Sequence, residues 1–130
     1  MITVKGFRYY NDNHCPRIDS RYENLGQLAY HIKQTALGKS RIKFPAQNSD
    51  GTFDQNFAGS FSGHLSYADE QRHNDGDIST HIELIQDDSN GKILFSSGSL
   101  TDKKGHISTT MNEMLENLKT WAKAEYDFAD

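Results

Sequence analysis

The sequence predicts an α+β domain, an antiparallel β-meander with two helices packed on one face. Three observations carry this. Two segments, Leu25 to Ala36 and Met111 to Ala122, repeat apolar residues at helical spacing. Several others alternate large and small or apolar and polar residues at period two, as half-buried strands do. Turn signals of the Asn-Gly and Asp-Gly type stand between neighbouring strands. At 130 residues the chain has room for a single domain, 1–130, with one modest core.

Residues Ile2–Tyr10 read as the first strand, with Ile2, Val4, Gly6 and Arg8 alternating against Thr3, Lys5, Phe7 and Tyr9. Asn11-Asp12-Asn13 is a turn cluster, and Cys15-Pro16 continues the loop. A helix begins near Glu23 and ends before Gly38, because Leu25, Leu28, Ala29, Ile32 and Ala36 share one face and Gly38 suits a C-terminal cap. Arg41–Phe44 is a short strand closed by Pro45, and Asn48–Gly51 is a loop by composition. Phe57, Gly59, Phe61, Gly63, Leu65 and Tyr67 then occupy one strand face, where the small glycines allow close approach of another backbone.

A polar stretch containing Asn74-Asp75-Gly76 leads to the strand Ile78–Ile85, with Ile78, Thr80, Ile82 and Leu84 expected inward. Asp87–Gly91 is a hairpin turn, and Lys92–Ser99 is the returning strand. The second helix carries a continuous stripe of Met111, Met114, Leu115, Leu118, Trp121 and Ala122. Its cap falls at Thr110, in a capping box with Glu113, or at Ser108. The expected order is β-α-β-β-β-β-α, with the sheet face away from the helices wet.

Apolar residues make up 35 % of the chain and charged ones 25 %, so the core is small and rests on aromatics: seven Phe, six Tyr and Trp121. No stretch approaches the ~18 apolar residues that cross a bilayer. No secretory leader pattern opens the sequence, and Cys15 is the single cysteine, which excludes an intramolecular disulfide. A cytoplasmic protein is expected. Charge is segregated: residues 1–48 carry eight basic and three acidic residues, whereas residues 49–102 carry two basic and ten acidic ones. Such asymmetry bears on partners rather than fold.

Catalytic motifs are absent. The chain contains no glycine-rich phosphate loop, no HExxH and no GxSxG elbow. His81-Ile82-Glu83 has the HxE spacing of zinc deaminases without their Pro-Cys-x-x-Cys partner. Asp50–Asp54 imitates a calcium loop, but its first and last ligand positions fall on Ala46 and Phe57. No metal and no cofactor are expected. The one acid–base candidate is the set His64, His81 and Glu83, which strand parity places on the wet face, with Ser60, Ser62, Ser66, Ser79 and Ser96 around it. Such a set suits metal-independent hydrolysis or nuclease chemistry, but nothing in the sequence fixes its geometry, and the reading preferred is a solvated polar face that keeps the sheet soluble.

The reading that follows is a small non-enzymatic binding or inhibitor protein that blocks a surface on another macromolecule. Its acidic residues Asp69, Glu70, Asp75, Asp77, Asp87 and Asp88, on two successive loops, would meet a protein partner with a basic surface, such as a nucleic-acid-binding protein. The class-level analogy is to phage- or plasmid-encoded inhibitors of nucleic-acid-processing machinery, anti-CRISPR proteins among them. Alternatives are the His-dependent nuclease or hydrolase, a toxin-neutralising immunity protein, and a nucleic-acid binder using Lys5, Arg8, Arg17, Arg21, Lys33, Lys39, Arg41 and Lys43 of the basic leading third.

Overall fold

A computed structural model of the chain describes residues 1–10, 13–36, 42–55, 65–68, 78–101 and 104–126. The elements are β1 (Ile2–Tyr9), β2 (Arg17–Tyr22), α1 (Leu25–Thr35), β3 (Ile42–Lys43), β4 (Leu65–Ala68), β5 (Ser79–Asp87), β6 (Lys92–Ser96), β7 (His106–Ile107) and α2 (Thr109–Tyr126). The expected α+β order is present, with two strands added. β2 forms where only a loop was expected, although Arg17-Ile18-Asp19-Ser20-Arg21-Tyr22 alternates cleanly. β7 is too short to show a period. Of the strand expected over Phe57–Tyr67, the described part lies in β4.

Every strand pair is antiparallel. The sheet runs β2-β1-β5-β4-β3, and β6 also pairs with β5. β4 and β6 therefore share one edge of β5, β4 along Ser79–Ile82 and β6 along Leu84–Asp87, while β1 takes the other edge along its whole length. β5 is the central strand, and its composition fits: Ile82, Leu84 and Ile85 are all buried.

Two register shifts shape it. Lys5 pairs with Leu84 but Gly6 pairs with Ile82, so Glu83 is an extra residue in a β-bulge. Leu84, expected inward, is thereby turned to the face away from the helices, and Ile85 takes the inward position that period two assigns to Leu84. A second shift between Ile85 and Gln86 leaves Leu94 as the extra residue of β6, and Leu94 and Phe95 both join the core.

Both helices cover the inner face. Leu28 and Ile32 of α1 meet Met111, Met114, Leu115, Leu118 and Ala122 of α2 above Ile2, Val4, Ile82, Ile85 and Phe95. Each fully buried side chain of this size contributes roughly 1.5–3 kcal/mol. Asn24 caps α1, its side chain accepting the Gln27 N–H at 2.9 Å. Ser108, rather than Thr110, caps α2 by accepting the Met111 N–H at 3.1 Å. Trp121 is partly buried against the core, and Lys33 Nζ lies 5.3 Å from its ring centre, tying the helices together. Phe53, fully buried, anchors the loop after β3 below α2, where its N–H donates to Asn112 at 3.1 Å.

Gly6 and Tyr22 give two tests of this architecture. A Cβ at Gly6 would overlap the His81 carbonyl oxygen and stand 3.0 Å from the carbonyl carbon. Because both obstacles are backbone, Gly6→Ala must push β1 off β5; a loss of about 3 kcal/mol or more is expected in chemical denaturation.

Tyr22 sits on the inner side of β2, its hydroxyl against His31 Nδ1. Burial, and then the nearby Tyr67, push its pKa from 10.0 up to about 12. The folded state thus holds this proton more tightly than the unfolded chain. The resulting stabilisation is complete below pH 10 and is lost as pH rises through about 12. Phenolate absorbance should show one late-titrating tyrosine, absent in Tyr22→Phe, and the variant's stability should fall less over that pH range.

Candidate functional site on the outer face of the sheet

Strand registers place side chains in rows across the face away from the helices. One row runs Arg17–Phe7–His81–Ser66–Lys43 over five strands. The next runs Asp19–Lys5–Leu84–Ser96–His106. Glu83, the bulge residue, falls between them. Strict alternation from His81 already assigns Glu83 to this face; the bulge adds Leu84 to it, beside the carboxylate.

Among the described residues Glu83 is the best-buried charged group of this face, its side chain 11 % exposed against 66 % for Arg17, with which it forms an ion pair. Its second carboxylate oxygen accepts from the Ser99 hydroxyl. Ser99 in turn bonds Ser97 at 2.9 Å, and the Ser97 N–H donates to the Glu83 carbonyl at 2.8 Å. Ser96 accepts the Gly98 N–H at 2.9 Å and bonds Thr101 at 3.1 Å. The segment after β6 is therefore folded back over the bulge, and Gly98, at φ 90°, makes the turn. Beside it the rings of Phe7 and His81 stack, centroids 4.8 Å apart and 18° from parallel. The Arg17 guanidinium lies 6.0 Å from the centre of the Phe7 ring.

The expected acid–base set is thus partly assembled. His81 and Glu83 share the outer face; His64 lies outside the described residues. Both oxygens of Glu83 already accept hydrogen bonds, so proton transfer through it would first break the link to Arg17 or Ser99. Among the described residues no group of three or more His, Cys, Asp or Glu side chains is placed to hold a metal ion.

The acidic loops divide likewise. Asp69, Glu70, Asp75 and Asp77 lie outside the described residues. Asp87 and Asp88 are turn-builders. Asp87 accepts the Ser89 N–H at 3.0 Å and hydroxyl at 2.7 Å, and these bonds lower its pKa. Its carbonyl accepts the Gly91 N–H at 2.8 Å. Asp88 donates its N–H to the Met1 carbonyl at 2.9 Å, and its carboxylate receives the Thr3 hydroxyl at 2.7–2.8 Å.

A groove of about 600 Å³ lies beside this turn and the start of α1, but its lining mixes the charges of Glu23, Asp87 and Lys92. Sequence reasoning missed Arg17 and Ser99 as the partners of Glu83; the alternation of β2 was readable, whereas the fold-back onto the bulge was not. No protein-family model, curated protein or solved structure matches the chain, and among the described residues no helix is long and apolar enough to cross a membrane.

Removing the Asp88 carboxylate leaves the Thr3 hydroxyl, on a residue only 5 % exposed, without its acceptor. Asp88→Ala should cost about 1–2 kcal/mol in thermal or chemical unfolding. A solvated tip aspartate would cost nothing measurable.

Proposed function

We propose that the protein is a non-enzymatic binding module that occupies a surface on another macromolecule, using the outer face of its sheet, and that the partner presents an acidic protein surface. The row Arg17–Phe7–His81–Ser66–Lys43 carries this reading. It sets arginine and aromatic side chains on rigid strands, the combination that dominates interface energetics. Lys5, Arg17, Arg21 and Lys43 are exposed there, against exposed Asp19 and the paired Glu83. A protein surface suits this face better than single-stranded nucleic acid. Bases need a free aromatic platform, whereas Arg17 and His81 flank the two sides of Phe7.

The basic-partner version of the same reading draws on Asp87 and Asp88, whose carboxylates serve the turn. Its remaining support is the loop bearing Asp69, Glu70, Asp75 and Asp77. An inhibitor of a nucleic-acid-processing complex would work by either surface, through steric and electrostatic competition.

Quantitative capture from cells that express the protein tests the choice of surface. Lys5→Glu combined with Lys43→Glu should reduce recovery of the specific partner about tenfold and flatten its salt dependence, while Lys92→Glu on the distant hairpin should leave recovery intact. Unchanged recovery in the double variant, with loss in an Asp75/Asp77 reversal, would move the contact to the acidic loop. Turnover in a nuclease and hydrolase screen that His81→Ala abolishes would replace the binding reading altogether.

A further inference from the structure

Among the described residues β2 pairs with β1 alone. The Arg8 N–H donates to the Pro16 carbonyl at 3.0 Å. In that register Pro16, Ile18, Ser20 and Tyr22 direct their backbone groups at β1. Arg17, Asp19 and Arg21 therefore direct their N–H and C=O groups to the open side. At the far end of the strand path, β3 is only two residues long. β2 presents six residues with no proline and no bulge, the kind of edge that templates another strand. Its charges do not exclude a copy of itself, because they alternate in sign.

We infer that β2 pairs antiparallel with β2 of a second copy about a two-fold axis at Ser20, joining two sheets into one. The backbone restricts the options, since outward-facing residues must oppose outward-facing residues. An axis at Asp19 would set Asp19 against itself and Arg17 against Arg21. An axis at Arg21 would set Arg21 against itself and Asp19 against Glu23. Both juxtapose like charges on neighbouring strands and are unfavourable.

An axis at Ser20 sets Asp19 opposite Arg21 of the second copy, twice by symmetry, and Arg17 opposite Glu23. On the helix side it sets half-buried Ile18 opposite half-buried Tyr22. An axis at Ile18 gives the Arg17–Asp19 pair but leaves Arg21 and Tyr22 past the ladder, opposite Cys15 and His14. The Ser20 axis alone uses the whole strand with unlike charges throughout. The interface is isologous and closes on itself as a dimer. This inference stands apart from the proposed binding function, whose test rests on Lys5 and Lys43.

Sedimentation velocity from about 5 to 500 μM should show a monomer–dimer equilibrium that weakens as salt rises. Asp19→Arg and Arg21→Asp should each weaken association about tenfold or more, and the combined exchange should restore it to within about threefold of wild type, as expected for an interacting pair. Thermal melts confirm that each variant is folded.

Crosslinking supplies an independent reading. In a Cys15→Ser background, Ser20→Cys lies on the axis at a non-hydrogen-bonded pair, where Cα atoms approach to about 4.5 Å and a disulfide fits. Mild oxidation should give a covalent dimer from position 20. A monomer at every concentration, association indifferent to both reversals, an exchange that fails to restore it, or crosslinking from Ile18→Cys in place of Ser20→Cys would each overturn the inference.

Discussion

The pairing of β1 with β5 is the constraint on which the rest of the structure depends. β5 is the strand with three partners, and β1 runs along the whole of one edge. Their two backbones approach so closely at Gly6 that no side chain fits against the His81 carbonyl. Beside this contact lies the bulge at Glu83. A residue without a Cβ and a residue without a cross-strand partner are two sides of one local solution. The strands draw together at Gly6 and take up the extra length at Glu83. The parity of everything beyond that point follows, including which face receives Leu84 and which receives Ile85.

On the outer face the shift leaves Glu83 without a cross-strand residue on β1 and sets Leu84 beside it. Glu83 stands on a face that also receives Arg17 from β2 and Ser99 from the segment after β6. A buried carboxylate left alone would be costly, and its two hydrogen-bonded partners offset part of that cost. The same links tie β2 and the serine-rich segment to the bulge. Phe7 and His81 extend these links by stacking, and Arg17 joins both sets of contacts. Among the described residues the face is mixed in charge with a basic excess: Lys5, Arg17, Arg21 and Lys43 against Asp19 and Glu83.

On the inner face the helices are fixed by polar pins around a simple apolar core. Tyr22 meets His31 where α1 lies near β2, Lys33 covers Trp121 between the helices, and Asn112 receives the Phe53 N–H below α2. These pins join elements rather than neighbours within one element. They orient the helices on a sheet whose apolar layer, by itself, would tolerate several packings.

The class of fold, both helices, the hairpin at Asp87–Gly91 and the helical half of the core were legible in the sequence, whereas Phe53, Leu94 and Phe95 joined a mainly aliphatic core that the expected weight on aromatics did not foresee. Each legible feature is a local periodicity or a local turn preference, and Leu28, Ile32, Met111, Leu115 and Leu118 kept the burial their spacing implied. The sequence also placed His81 and Glu83 on one face. Strand adjacency, the two bulges and the partners of Glu83 were decided only in three dimensions. Parity is a property of one strand, whereas a bulge is a compromise between two backbones and leaves no mark on the apolar pattern of either. The contacts of Asp88 were illegible for the same reason. The sequence shows two acids at a turn, and only the tertiary structure brings Thr3 and Met1, more than eighty residues away, to meet Asp88. The charge blocks were legible as blocks. Their meaning depended on which strands became neighbours, because β2 and β1 collect Arg17, Arg21 and Lys5 on one face only after the sheet has formed.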